Sequence, residues 1–312
     1  MATLGALGAL FLLLLLHLRL LDREYHTATV PTEDAPDVAL VVASTKHENT
    51  SWLLEYFPRW QHRIYVVDDA QAALTVPRNK GREAMVYLTY IIDHYDRLPA
   101  NMLFLHAQRF QWHNDDPDYD GLALLRRFRF AYLRQRGYVN LRCVWVIGCP
   151  VEIRPEEVRS AESSAEARSS SAENSTADIF KTAFQELLPD TPVPRAVGVS
   201  CCAQFAVTRA TVRRRPRAEY VRYRAWLERS ELDDAVTGRV FEYLWHVIFG
   251  QDPIHCPPAA DCYCNVYGRC GLACPHDGRC ERQYSLPPYA TLPEGWPRVG
   301  WRGEQRDFAG PL

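Results

Sequence analysis

Three groups of residues in this 312-residue chain have the types and spacing that acid–base or ion chemistry needs. The first is Gln111-Trp112-His113-Asn114-Asp115-Asp116-Pro117-Asp118-Tyr119-Asp120, which packs aromatics and four carboxylates into ten positions. Such a loop can hold a divalent cation, stack a base or sugar, or supply a general base. Its structural alternative is an acidic cap on the helix that follows, with Asp118 or Asp120 as the cap residue. The second group is Glu242 and His246, spaced i,i+4 on one predicted helix, with Asp233 and Asp234 just upstream. That pair suits acid–base partners or metal ligands, and equally a buried, mutually satisfied pair. The third is Asn79-Lys80-Gly81 with Glu83, a loop-to-helix turn whose N–H groups can hold an anion, or an ordinary helix start.

The elements that must position these residues follow from hydrophobic periodicity. Continuous apolar runs at Asp37 to Ser44, Arg63 to Val67 and Met102 to His106 predict buried strands. Helical spacing predicts helices over Ser51 to Phe57, Arg82 to Tyr95, Gly121 to Arg136, Asp178 to Leu188, Glu219 to Glu228 and Thr237 to Phe249. Leu141 to Ile147 reads as a further buried strand or a helix continuation, and Gly198 to Thr208 as strand-like. The alternation implies an α/β fold, Rossmann-like, with a mostly parallel sheet flanked by helices. Ligands bind outside the carboxyl ends of such strands. Those ends carry Ser44 to Glu48, Asp68 and Asp69, and His106, Gln108 and Arg109.

Composition, 47% hydrophobic and 24% charged, allows one large domain with a real core, and the net charge of −2 gives no global attraction for polyanions. A local one remains in Arg209 to Arg229, where eight arginines interleave with Tyr220, Tyr223 and Trp226. This run suits phosphate contacts, or a solvated helix face paired with Glu219 and Glu228. Residues 1–36 read as a hydrophobic segment and stem, 37–250 as the catalytic α/β domain with a low-complexity insertion at 155–176, and 251–312 as a cysteine-rich, Pro-rich tail. Residues 4–21 are short for a span, have no convincing cleavage site and carry basic residues on the C-terminal flank. They predict membrane association with the domain on the cytosolic side. Six cysteines between Cys256 and Cys280 imply cross-linking, and without paired C-x2-C knuckles disulfides stand ahead of zinc. No Walker A loop, G-x-G-x-x-G or G-x-S-x-G elbow is present, which argues against kinases, dinucleotide oxidoreductases and α/β hydrolases.

Asn79-Lys80-Gly81-Arg82-Glu83-Ala84, Phe104-Leu105-His106, Trp112-His113-Asn114-Asp115-Asp116, Cys201 to Val207 and Gly238 to His246 resemble a largely fungal family long labelled as of unknown function. The resemblance spans roughly Val38 to Cys256. Members with an assigned activity include arginine-containing cyclodipeptide synthases, which act in secondary metabolism. It therefore implies an enzyme that takes arginine and a second amino acid from aminoacyl-tRNAs and closes them into a diketopiperazine, with no cofactor. Such acyl transfers need a base, an oxyanion stabiliser and a carboxylate for the guanidinium. From the residues themselves, the expected catalytic groups are Glu242, His246 and Asp234. The expected binding groups are Asn79, Glu83, His106, Trp112, His113, Asp115, Asp116 and Gln204, with tRNA phosphates on the arginine-rich segment. The sheet pattern is also similar to that of GT-A nucleotide-sugar glycosyltransferases, with Asp116 and Asp118 as a displaced Asp-x-Asp for Mg²⁺ or Mn²⁺. Compartment separates the two readings, because charged tRNA requires a cytosolic domain.

Overall fold

The apolar runs form the centre of a computed structural model that describes residues 37–155, 176–284 and 290–310. Strands β1 (Val38–Ser44), β2 (Gln61–Val66) and β3 (Asn101–His106) pair in parallel. With β4 (Tyr138–Asn140) and β6 (Phe205–Thr208) they make a five-stranded sheet ordered β2-β1-β3-β6-β4. β6 is antiparallel to both β3 and β4, so the sheet is mixed, which corrects the expectation of a mostly parallel one. The reason lies in Gly198 to Thr208, which is not one strand. β5 (Gly198–Val199) pairs instead with β7 (Ile254–His255), and the chain turns through Ser200 to Gln204. It then enters the sheet with Phe205 opposite Phe104, near the carboxyl end of β3, and from there it must run backwards.

Period-two alternation divides the core between the two faces of the sheet. Ala39, Val41, Met102, Phe104, Phe205 and Val207 face α2 (Glu83–His94), α5 (Thr176–Leu187), α7 (Arg217–Arg229), α8 (Asp234–Glu242) and α9 (Trp245–Ile248). Val38, Leu40, Val42, Leu103, Leu105 and Ala206 face α1 (Ser51–Tyr56), α3 (Gly121–Arg127), α4 (Phe130–Arg136) and α10 (Ala259–Tyr267). The short α6 (Arg209–Val212) directly follows β6, capped by Thr208, whose Oγ1 accepts from the Thr211 N–H. Every residue from Ala84 to Ile92 is buried, because α2 lies between the sheet and α7 and α8.

Three predicted elements break, the first two where tertiary partners take over the backbone. The helix expected over Gly121 to Arg136 is two, α3 and α4, because Phe128 turns extended and the Arg129 N–H donates to Val266 O of α10 at 2.9 Å. Leu141 to Ile147 is a loop: the Cys143 and Val144 N–H groups donate to the Asp115 carboxylate, not to a strand. The helix expected over Thr237 to Phe249 stops at Glu242 and restarts at Trp245 as α9.

The arginine run is not a free phosphate surface; it matches the alternative of a helix face paired with Glu219 and Glu228, since Arg215 pairs with Glu219 at 2.7 Å and Arg224 with Glu228 at 3.7 Å. Six of its arginines donate to backbone carbonyls or ion-pair locally. Arg217 donates to Ile92 O, Arg213 to Tyr95 and Asp96 O, Arg222 to Glu186 and Leu187 O, Arg215 to Ile248 O, and Arg209 to Leu98 O. Arg224 lies within salt-bridge distance of Glu228 and Asp93. Most of these carbonyls end helices, where cations satisfy unpaired acceptors and the negative end of the helix dipole.

All ten cysteines are paired, as the preference for disulfides over zinc required. Cys143–Cys262 and Cys149–Cys256 tie the cysteine-rich segment to the domain across 119 and 107 residues, while Cys264–Cys270 and Cys274–Cys280 close short loops. On the chain-entropy model, loops of that longer size contribute about 4.7 kcal/mol each. Five disulfides belong to an oxidising compartment, which corrects the expected cytosolic placement. Among the described residues no helix is long and apolar enough to cross a membrane, which corrects the expectation of a transmembrane helix as far as those residues go. Residues 4–21, on which that expectation rested, lie outside the described residues, as does most of the 155–176 insertion.

Candidate functional site

The carboxyl end of β3 opens into a cavity of about 410 Å³, within the range of small-molecule sites. Its position follows the rule for α/β sheets, since the chain leaves β1 for β2 on one side and β3 on the other. Five local events bring polar groups there. β3 ends at His106, the first turn of α2 supplies Arg82 and Glu83, and the last turns of α8 supply Arg239 and Glu242. The loop after β3 adds Trp112 and His113, and the turn before β6 adds Cys202. Ile153, Ile179 and Phe180 form an apolar wall.

Hydrogen bonds fix the polar wall. The Cys202 N–H donates to Glu242 Oε1 at 2.5 Å, and His106 Nε2 lies 2.8 Å from Cys202 O. A carbonyl accepts only, so His106 carries its proton on Nε2 in this arrangement. The His106 and His113 rings stack at 4.4 Å, and Trp112 lies against His113 at 4.4 Å. Behind them Gln204 accepts from the His106 N–H at 3.2 Å and donates to Asn114 Oδ1 at 3.2 Å. Buried Arg142 donates to the Trp112 and His113 carbonyls, both at 3.1 Å, fixing that turn from outside the cavity.

Burial pushes the Glu242 carboxyl above its ordinary range; the Cys202 N–H opposes this, and nearby Glu83 adds to it. Burial, with His106, Arg142 and Arg82 as like-charged neighbours, holds His113 well below the ordinary histidine range. The cavity thus combines a carboxylate poised to accept a proton, two imidazoles of which one is held neutral, two guanidinium groups and an aromatic wall.

Of the expected catalytic groups, Glu242 alone lines the cavity. His246 is fully buried in the core, with Nε2 3.0 Å from Pro253 O, because the helix break at Tyr243 and Leu244 puts it on a different axis from Glu242. Asp234 sits at the start of α8, accepting from the Gly81 N–H at 3.3 Å and lying 3.7 Å from Lys80 Nζ. That contact also answers the expected anion site at Asn79 to Gly81, since the chain's own carboxylate takes the N–H, and Asn79 is exposed away from the cavity. Of the expected binding groups, Glu83, His106, Trp112 and His113 line the cavity, and Gln204 supports them from behind.

Asp115 and Asp116 do not line it. Asp115 Oδ2 accepts from the Cys143 and Val144 N–H groups at 2.6 and 2.8 Å, and Oδ1 accepts from the Tyr263 hydroxyl. Asp116 closes a turn by accepting from the Asp118 N–H at 2.9 Å, and burial raises its pKa to about 6. Asp118 pairs with Arg306 at 2.6 Å. Asp120 makes a two-bond pair with Arg109 at 2.8 Å and caps α3 through the Leu122 N–H. The four carboxylates therefore serve four different partners, so a displaced Asp-x-Asp holding Mg²⁺ or Mn²⁺ does not fit here. The cap alternative holds for Asp120. The other metal-capable grouping among the described residues, Cys201, Cys202 and Glu242 within 4.8 Å, has both sulfurs in a disulfide and offers no thiolate.

A family model described as "Protein of unknown function (DUF3431)" matches residues 40–265. The chain belongs to that family. The matched range takes in the sheet from Leu40 of β1 onward and every residue of the cavity wall named above, and extends into α10. No curated protein and no solved structure matches the chain.

Three parts of the site were not anticipated as site residues. Arg82 and Arg239 lie inside the segments singled out above, each beside an expected site residue or in the same helix as one. The third is the Cys201–Cys202 disulfide between neighbouring residues. The CC doublet was its signal, set apart from the crowded tail cysteines.

Proposed function

We propose that the chain is a group-transfer enzyme of an oxidising compartment, moving a sugar from a nucleotide-sugar donor to an acceptor hydroxyl. The observation that carries an enzymatic reading is the convergence of Glu83 and Glu242 with His106 and His113 in one cavity at the carboxyl end of a parallel strand. The disulfides then favour the sugar donor, because aminoacyl-tRNA is a substrate of reducing compartments. The strand order, with one antiparallel strand between β3 and β4, supports a likeness to the GT-A kind of fold.

In this reading Glu242 takes the proton of the acceptor hydroxyl as the new C–O bond forms, a task suited to a carboxylate raised by burial. The bond from the anomeric carbon to the donor phosphate breaks, and Arg82 and Arg239 meet the charge that develops on the departing phosphate. Trp112 and Phe180 offer ring faces to the sugar or base. No step is assigned to a metal.

Arginine-containing cyclodipeptide synthesis keeps one observation in its favour. The Glu83 and Glu242 carboxylates are suited to a guanidinium. Against it stand the disulfides and the arginine run engaged in helix ends. The deciding experiment incubates the purified, oxidised chain with a panel of nucleotide sugars and measures nucleoside diphosphate release. Release with one donor, reduced about a hundredfold or more in Glu242→Gln as for loss of a general base, is expected. No release with any donor, together with arginine-containing cyclic dipeptides in the host medium, would reverse the choice.

A further inference from the structure

Four of the five disulfides join residues at least six apart, but Cys201–Cys202 joins neighbours and closes no loop. The loop-closure account of disulfide stability therefore gives it almost nothing to contribute to the fold. What it does hold is local. Cys202 and Ala203 lie at φ 87° and 48°, in the left-handed region that residues other than glycine rarely occupy. That backbone aims the Cys202 N–H at Glu242 and presents the Cys202 carbonyl to His106, so both contacts to the acid–base groups come from one disulfide-bonded residue.

Two further features suit the pair to exchange chemistry. Cys202 lines the cavity, so a small thiol can approach it from there. Arg142 Nη1 lies 3.6 Å from Cys202 Sγ, a cation placed to stabilise a departing thiolate.

We propose that Cys201–Cys202 is a two-electron redox site, reduced by a dithiol entering the cavity, and that only its oxidised form holds Glu242 and His106 in their present places. One thiolate of the dithiol attacks Cys202 Sγ, and the bond to Cys201 Sγ breaks with the electron pair and then a proton going to Cys201. The second thiol attacks the mixed disulfide, closes the reductant's own disulfide and releases Cys202 as thiolate beside Arg142. The net change is one protein disulfide and one dithiol giving two protein thiols and one oxidised reductant. Freed from its neighbour, Cys202 relaxes out of the left-handed region and its N–H leaves Glu242.

The test uses the intact, oxidised chain and needs no substrate, so its outcome is independent of which group the enzyme transfers. The chain is titrated with dithiothreitol; each cysteine pair is followed by differential alkylation and mass spectrometry, and amide exchange is followed in parallel. Both bridges are buried, but Cys202 borders the cavity and Cys143 and Cys262 do not, so Cys201–Cys202 should open at lower dithiol than Cys143–Cys262. As it opens, exchange at the Cys202 amide should rise about tenfold to a hundredfold, the loss of one hydrogen bond to a charged acceptor. Amides of β1 and β3 should keep their protection, and reoxidation should restore the starting pattern. The double variant Cys201→Ser, Cys202→Ser should show the fast exchange at position 202 without any dithiol. An unchanged Cys202 amide after the pair is reduced would overturn the proposal, and so would opening of the pair only together with Cys143–Cys262 and the core.

Discussion

Asp115 offers a direct measurement of whether the acidic loop is architecture or chemistry. Its carboxylate accepts from two buried backbone N–H groups, Cys143 at 2.6 Å and Val144 at 2.8 Å, and from the Tyr263 hydroxyl of α10. Asp115→Ala leaves both N–H groups and the hydroxyl without an acceptor in a site that water does not reach. At about 1–3 kcal/mol for each orphaned buried donor, the two N–H groups alone make a loss of about 4 kcal/mol. Asp115→Asn is milder: its one oxygen can still face both N–H groups while its amide donates to Tyr263, so the loss of charge assistance costs about 1 kcal/mol. Both variants keep the Cys143–Cys262 bridge, so the unfolded reference is unchanged and the difference reports the carboxylate. Urea unfolding of the oxidised chain, followed by tryptophan fluorescence, should show midpoints in the order parent, Asn, Ala. The Ala variant should melt roughly 8–16 °C below the parent, taking 2–4 °C per kcal/mol for a large domain. Folded molecules of either variant should retain turnover. An Ala variant as stable as its parent but without turnover would refute the structural assignment and return Asp115 to the substrate.

Glu242 needs its ionised form as a base, and its pKa is raised, chiefly by burial, so turnover should fall on the acid side at a pH above the ordinary carboxylate range. Because the folded pKa exceeds the unfolded one, ionisation costs stability as pH rises through it; Glu242→Gln should raise the urea midpoint at neutral pH while removing turnover. His246 has its pKa lowered to about 4, chiefly by burial, so the unfolded chain binds its proton first. Stability should then fall between about pH 6.5 and 4 by up to about 1.4 kcal/mol per unit, and His246→Gln should remove that part of the slope in urea unfolding. Gly238→Ala puts a Cβ 3.1 Å from Arg82 Cδ. It should raise the donor KM several-fold by displacing that guanidinium, while the helix itself gains up to about 1 kcal/mol, readable as an unchanged or higher Tm.

What could be read from the sequence follows the physics of each signal. Strands β1 and β3 and helices α2 and α7 were legible because long apolar runs or 3.6-residue spacing are local properties of the chain. The direction of β6 was not, since it depends on where the turn at Ser200 to Gln204 delivers the chain. Nor was the break after Arg127, since nothing before Phe128 shows that the Arg129 N–H will find Val266 O. Glu242 and His246 failed as a pair for the same reason. An i,i+4 spacing places two residues on one face only if the helix between them is continuous. His106, Trp112, His113 and Glu83 were legible because strand ends and first turns of helices are where an α/β fold collects its ligands.

The carboxylates separate by the number of donors that each has met, a property that composition cannot express. Asp115 receives three hydrogen bonds, and Asp120 receives two from Arg109 and one from the Leu122 N–H. A buried carboxylate so satisfied has its acceptor capacity taken up by the fold. Glu242 is in the opposite condition. It sits in a cavity wall, takes one short bond from Cys202, and faces a second carboxylate in Glu83, so protonation relieves it. Short aspartates close to the backbone are consumed by N–H groups and hydroxyls, while the longer glutamates of α2 and α8 reach past the backbone into the cavity. The acidic loop thus builds the frame on which Trp112 and His113 are mounted. In the proposed reaction the proton goes to Glu242, which sequence density alone would have ranked below that loop.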